Sequence, residues 1–328
     1  MHRLHRGLLA IAAVMALALA GAGMGLAQSH YPDHPVVLIV PYGPGGVADV
    51  GMRLLGDKLA KRLGQQFVVE NKPGAGGIVA AQAGAAAAPD GCTLLMTGNN
   101  TAIATALFNK LPFNILTDFA SVSTAAFFDL LIVTRTGSPL HSVADLIKAA
   151  QANPGKLNIG TITPGSTQNL GALLFNSTAG IKATIVTFRT SSDMANAVMR
   201  GDVDLAFEFY AAIHGFLDAG KMVVLASTGT KRTAYLPQVP TVIESGIKGY
   251  DVVSWNGLSV PAKTPKDAIA TLNTAMKAVI PDPDIQSKAQ AVGMEMRAST
   301  PEEMTARMKA DIARWGAVIA KAGIPKRD

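Results

Sequence analysis

The chain has 328 residues, of which 49% are hydrophobic and 16% charged, with 32 Gly, 18 Pro and a single Cys. That much apolar side chain with so few charges excludes a disordered protein, and one cysteine excludes a disulfide framework or a cysteine-rich metal site. The formal charge is +6, but no basic run carries interleaved aromatics, so nucleic acid is not an expected partner.

Residues 1–27 read as a signal peptide. His2, Arg3, His5 and Arg6 give a cationic start, Leu8 to Leu19 is unbroken apolar chain, and Gly25-Leu26-Ala27 supplies a small-residue cleavage site. The apolar run is shorter than the roughly 20 residues a membrane span needs. Export with cleavage near Ala27 and a periplasmic location are therefore expected. Cleavage removes Arg3 and Arg6 and no acid, leaving 27 basic and 23 acidic side chains, net +4.

By length the remainder should form two domains of about 150 residues each. From Val36 onward, β-branched runs alternate with helical patterns, as in an α/β fold with parallel strands. Val36 to Pro41 reads as a buried strand. Val47 to Leu63 reads as a helix, with Ala48, Met52, Leu55, Leu59 and Leu63 on one face. A strand at Phe67 to Glu70 leads into Gly-rich 73–77 and an Ala-rich helix to Ala88. Strands follow at Thr93 to Thr97 and Leu130 to Thr134. A second cycle begins near Ser142: helix (Val143 to Ala152), strand (Leu157 to Gly160), polar loop, helix (Gln168 to Ser177), strand (Thr184 to Thr187), helix (Asp193 to Arg200) and strand (Val203 to Phe207). Strands recur at Val223 to Ser227 and Val252 to Val260, before helices at Pro265 to Ile280 and Pro301 to Ala322. The last opens on a capping box, Thr300-Pro-Glu-Glu303. Its stripe of Met304, Met308, Ile312, Trp315 and Ile319 reads as core packing.

Two strand–loop–helix turns carry the chemistry. In Val36-Val-Leu-Ile-Val-Pro-Tyr-Gly-Pro-Gly-Gly-Val-Ala-Asp49, a strand enters a Gly-rich turn that opens a helix. Unpaired N–H groups and about half a positive charge at such a helix start suit an anion without any cationic side chain. Asp49 in the first turn complements the same dipole and is read as holding the loop. The second turn is Asn158-Ile-Gly-Thr-Ile-Thr-Pro-Gly-Ser-Thr-Gln168, about 120 residues later, with Ser166 and Thr167 at the helix start. Two such turns in two domains suggest opposing halves of a cleft. Arg189 and Glu208 lie at or just past strand ends, where ligands of open parallel sheets collect.

Catalytic readings find little purchase. Gly43-Pro-Gly-Gly-Val-Ala48 formally matches a dinucleotide-binding pattern, with Glu70 near the right distance beyond it, which leaves an NAD-dependent oxidoreductase as the rival reading. No zincin, Walker or nucleophile-elbow motif occurs. His30, His34, His141 and His214 show no ligand spacing, and Cys92 reads as packing, so neither a metal nor a cofactor is expected.

At these residues the chain resembles the solute-binding receptors of tripartite tricarboxylate transporters, the Bug family. The matching segments are Val40-Pro-Tyr-Gly-Pro-Gly-Gly-Val-Ala-Asp49, Val69-Glu-Asn-Lys-Pro-Gly-Ala-Gly-Gly77, Pro89-Asp-Gly91, Leu111-Pro-Phe113, Asp118-Phe-Ala120, Gly201-Asp-Val-Asp204, Leu236-Pro-Gln-Val-Pro-Thr241 and Trp255-Asn-Gly-Leu258. They run in family order along essentially the whole mature chain. The resemblance implies a two-domain clamshell, each domain a mostly parallel sheet flanked by helices, that closes over a small carboxylated solute and delivers it to membrane transporter subunits. It also implies that the loops at Tyr42 to Asp49 and Thr161 to Thr167 grip the carboxylate. Departures fall at the site: Ile162, Thr163 and Pro164 interrupt the second loop, Asn169 stands where His is frequent, Glu208 where Asp is frequent, and Gly98-Asn-Asn-Thr-Ala102 differs from the usual Ser/Thr-His pattern.

The expected ligand contacts are Tyr42, Gly45 and Gly46 from one lobe and Thr161, Ser166, Thr167 and Arg189 from the other, with Asn99, Phe128, Glu208 and Trp255 lining the gap. Asp49 and Glu70 are expected to support the site. The first domain is placed at residues 28–127 with about 228–295, and the second at 128–227 with about 296–328, including the C-terminal helix. The protein is expected to act as a monomer without catalysis. An orphan receptor feeding a signalling partner would share fold and ligand.

Overall fold

The computed structural model describes residues 31–328; the signal peptide expected at 1–27 lies outside them. In chain order the strands are β1 (Val36–Val40), β2 (Phe67–Asn71), β3 (Thr93–Gly98), β4 (Phe119–Arg135), β5 (Asn158–Thr161), β6 (Thr184–Thr187), β7 (Leu205–Phe209), β8 (Met222–Ser227), β9 (Val253–Pro261) and β10 (Glu295–Met296). The helices are α1 (Val47–Leu63), α2 (Ile78–Ala85), α3 (Asn99–Leu107), α4 (Val143–Ala152), α5 (Thr167–Ala179), α6 (Ser191–Arg200), α7 (Tyr210–Asp218), α8 (Lys266–Val279), α9 (Pro283–Gln290) and α10 (Pro301–Lys321).

Local chemistry accounts for the first unit. The apolar run of β1 is buried except at Val37, as a strand covered on both faces must be. Helix α1 turns Met52, Leu55 and Leu59 inward and stops at Gly64, whose φ of 73° lets its N–H close onto the Ala60 carbonyl. β1 lies between β2 and β3, parallel to both. The same three-strand unit recurs as β6-β5-β7, again parallel.

Strand β4 joins the two units. Its residues Phe119–Asp129 pair antiparallel with β9, which is itself antiparallel to β3. Its residues Leu130–Arg135 pair antiparallel with β7 and β8. The strand order is β2-β1-β3-β9-β4-β7-β5-β6, with β8 and β10 also on β4. The outer strands are thus parallel, as the α/β reading requires, and the pairing turns antiparallel toward the middle. Buffered by Ser and Thr and buried along most of its length, the 17-residue β4 shows no period-2 signal, so only its apolar second half is legible in the sequence.

Thr228 ties two of the chain crossings between the lobes together. Lying after β8, it takes the Leu130 N–H on its hydroxyl at 2.9 Å and donates that hydroxyl to the Val252 carbonyl at 2.6 Å. Two crossings of the chain, at Leu130 and along residues 228–252, therefore meet there. A third bridge is α10, expected to group with residues 128–227. Its bonds run mainly to the first half-sheet: Trp315 Nε1 to Asn99 at 2.7 Å, Thr305 to Ser121 at 2.9 Å, and Asp311 accepting from Trp255 at 2.7 Å. The reason is its apolar stripe, which fills the groove beside α3, where Met304, Met308, Trp315 and Ile319 join a single core reaching from Ile39 to Phe207.

Candidate functional site

The first turn is held open by an acid. Gly45 has a φ of +82°, a conformation that glycine adopts without strain. Its N–H donates to Asp49 Oδ2 at 2.9 Å, which Arg53 Nε also reaches at 2.9 Å, while Asn71 Nδ2 donates to Oδ1 at 2.8 Å. Burial alone would raise the Asp49 pKa, but the bonds from Arg53, Gly45 and Asn71 outweigh it and hold the carboxyl low. Gly46 caps α1 without any side-chain bond, so the N–H groups of the first helical turn face outward unclaimed by a capping side chain. Residues 42–46 are exposed.

The second turn repeats this construction. Gly165 has a φ of +82° and donates its N–H to Asn169 Oδ1 at 3.2 Å. The cap backbone agrees as well: Gly46 sits at φ −74°, ψ 164° and Ser166 at φ −72°, ψ 160°. Pro44 and Pro164 precede the two glycines, and Asp49 and Asn169 close the loops from the same offset. Asn169 Nδ2 also reaches Thr161 Oγ1 at 3.3 Å, which anchors the turn to the end of β5. Ser166 Oγ accepts the Asn169 N–H at 3.1 Å, so here one helical donor is already satisfied.

A third helix start lies between them. Asn99, the first residue of α3, is buried; its Nδ2 donates to Thr167 Oγ1 at 2.8 Å and its Oδ1 accepts from Trp315 Nε1 at 2.7 Å. The preceding residue must be glycine because a Cβ on Gly98 would strike the Trp255 carbonyl oxygen. Toward the first turn, a Cβ on Gly77 would lie 3.1 Å from Asn100 Nδ2 and 3.4 Å from the Pro41 Cβ. Contacts therefore run from Pro41 through Gly77 and Asn100 to Asn99 and on to Thr167, linking the carboxyl ends of β1, β3 and β5.

Glu208 adjoins this line through Gln168, the neighbour of Thr167. It lies inside β7 rather than past its end, is 1% exposed, and holds Gln168 Nε2 at 2.8 Å and the Phe209 N–H at 2.7 Å on Oε1. Its other oxygen, Oε2, has no hydrogen-bond partner. Burial raises its pKa, and the nearby Ser191 hydroxyl, the Phe209 N–H and Gln168 offset this only in part. Phe128, half-buried in β4, packs edge-to-face on Phe209 at 5.7 Å. Tyr42 is 38% exposed, and desolvation by the surrounding protein raises its phenol pKa. Its carbonyl accepts from Asn71 at 2.9 Å.

Three expected residues do not join this group in the expected way. Trp255 is wholly buried and spends its indole N–H on Asp311 at 2.7 Å; it faces the core because α10 covers that face of β9. Glu70 is exposed and pairs with Lys72 at 2.6 Å. Side chains alternate along a strand, so support for the first turn comes from its neighbour Asn71. Arg189 is exposed, one residue beyond Phe188, whose N–H bonds the Thr161 carbonyl at 2.9 Å. It stands at the rim beside the outermost strand, with no ion pair among the described residues. Asn71 and Gln168 are not among the expected contacts, and Asn169 enters there only as a departure from the family pattern, although the shared Pro-Gly and the Asp or Asn four residues after each Gly are there to be read.

The family model described as "Tripartite tricarboxylate transporter family receptor" matches residues 52–324. Protein BugT of Bordetella pertussis is 29% identical over 309 residues, covering 94% of this chain and 95% of that protein. Among solved structures, R. palustris Rpa4515 with adipate superposes with a TM-score of 0.78 at 32% identity, covering 90% of this chain and 100% of that one. MatC (Rpa3494) from Rhodopseudomonas palustris with bound malate gives a TM-score of 0.73 at 29% identity, covering 88% and 100%.

Proposed function

Because the chain belongs to the tripartite tricarboxylate transporter receptor family, we propose that it is a periplasmic solute-binding protein. It takes a small carboxylate between the turns at Tyr42–Asp49 and Thr161–Thr167 and hands it to membrane transporter subunits. The observation that carries this reading is the repeated turn: the same glycine conformation, the same cap angles and the same side-chain brace occur at two helix starts, one per lobe. Each charge-assisted N–H bond to a carboxylate contributes about 1.5–3 kcal/mol. Removing the carboxylate from water costs several kcal/mol, so donors from both turns have to converge for net binding. The structures of relatives with adipate and malate support this ligand class. Hinge closure about Thr228 brings the lobes together.

The same geometry favours a receptor over the NAD-dependent oxidoreductase that the Gly-rich turn also suggests. In the dinucleotide reading the Asp49 carboxylate would stand beside a pyrophosphate, and Glu70, the acid meant for the ribose, is engaged with Lys72 instead. Thermal-shift and calorimetric titration against mono- and dicarboxylates tests the proposal. A dicarboxylate that raises the melting temperature by binding only the folded state supports it; a panel without any stabilising carboxylate contradicts it. Co-purification with membrane subunits, against capture by a signalling partner, decides the downstream role.

A further inference from the structure

The end of the sheet remote from these turns gathers a second set of donor groups. Just before β1, Asp33 and His34 lie against Cys92, the residue preceding β3; donor atoms of all three fall within 4.8 Å of one another. Asp90 adds a fourth: its Oδ2 is 3.9 Å from His34 Nε2. The two segments are fixed by their own bonds. Tyr31 Oη donates to the Gly91 carbonyl at 2.7 Å, the Cys92 N–H donates to Asp90 Oδ1 at 2.7 Å, and the Val37 N–H donates to the Cys92 carbonyl at 2.8 Å. Spacing along the chain hides this cluster, since His34 and Cys92 meet only through the pairing of β1 with β3.

We propose that Asp33, His34, Asp90 and Cys92 form a binding site for a divalent transition-metal ion of the Zn2+ class. The donor set is one cysteine sulfur, one imidazole and two carboxylates, which suits a cation of borderline softness. Charge points the same way. Two aspartates share a single imidazole, and among the described residues neither has a Lys or Arg within ion-pair distance. A tetrahedral ion sets its ligand atoms roughly 3.3–3.7 Å apart. Asp33, His34 and Asp90 are exposed, so the Asp33 and His34 side chains are free to adjust toward that spacing over the buried sulfur, while Asp90, held through Oδ1 by the Cys92 N–H, would offer Oδ2. On binding, the Cys92 S–H proton is released to water and a sulfur–metal bond replaces it. Since the cluster lies at the amino ends of β1 and β3, about 17 Å of strand from the turns, the ion staples the chain entry to the sheet without touching the solute.

Titrating the untagged, chelator-treated chain with Co2+ and Zn2+ tests this. One equivalent of Co2+ should bring up a thiolate-to-cobalt charge-transfer absorption that Zn2+ then displaces. Cys92→Ser should abolish that absorption, and His34→Ala, a surface change that spares the core, should weaken Zn2+ binding at least tenfold. Both variants should keep the far-UV spectrum and the solute affinity of the parent. Absence of saturable one-equivalent binding, or binding unchanged in both variants, overturns the proposal.

Discussion

The Asn99 side-chain amide donates to the Thr167 hydroxyl at 2.8 Å while its carbonyl takes the Trp315 indole N–H at 2.7 Å, so one buried residue joins α3, α5 and α10. Asn99→Ala leaves the indole N–H and the Thr167 hydroxyl without this partner, which costs about 1–3 kcal/mol for each buried group left unpaired. Thr167→Val removes only the inter-helix bond. Urea denaturation should show Asn99→Ala as the more destabilising of the two. Equal losses would mean that the Trp315 bond contributes nothing.

The two turn braces should be separable from the fold. Asp49→Ala frees the Gly45 N–H and strands Asn71 and Arg53; Asn169→Ala does the same to Gly165 on the other lobe. Each should lower solute affinity about tenfold or more, equivalent to roughly 1.4 kcal/mol, in calorimetric titration. Asp49 also carries a pH signature. Its folded pKa is depressed, so its stabilisation is complete above the unfolded value near 3.9 and disappears as pH falls through the folded one. The stability gap between the parent and Asp49→Asn should therefore close on acidification below about pH 4.

Glu208 should govern which solute is accepted. Its Oε2 is buried and unpartnered, and an orphan acceptor is satisfied by a ligand hydroxyl or ammonium. Glu208→Gln should weaken binding of hydroxy- or amino-carboxylates by about tenfold and leave plain dicarboxylates unchanged, as read by competition titration. An unaltered ranking across the panel would remove Glu208 from recognition.

How much of this was legible in the sequence follows from where signals are periodic. Helix α1, with Met52, Leu55 and Leu59 on one face, was found at its true bounds, as was β6. Helix α3 was missed, because Asn99, Thr101, Ala102, Ile103, Ala104, Ala106 and Leu107 are all buried and a helix covered on every side has no amphipathic period. The two anion-suited turns were visible through Gly and Pro. Their braces were only half visible: Asp49 stands in its own helix, whereas Asn71 arrives from a neighbouring strand, and Trp255 read as a site residue because nothing local announces the covering helix α10.

The junction between the lobes should respond to pH. Asp129, the residue before Leu130 in β4, has its pKa pushed up to about 7 by burial first, then by Asp251 and Glu295, with Arg297 opposing. A Cβ on Gly229 would collide with its carboxylate, which shows how closely the chain crossing packs there. An acid whose folded pKa exceeds its unfolded value binds more protons when folded, so stability falls as pH rises between the two. From about pH 4, the usual unfolded value, to about 7, the parent should lose stability relative to Asp129→Asn, which mimics the protonated form. Chemical denaturation at pH 5 and pH 8 reads this, and a constant difference would refute it.

A crystal structure of the protein with a bound dicarboxylate such as adipate tests the central claim most directly. The account predicts one ligand carboxylate within hydrogen-bonding distance, directly or through one water, of backbone N–H groups at both Gly46–Val47 and Ser166–Thr167. A ligand carboxylate held by lysine or arginine side chains away from either turn would contradict it.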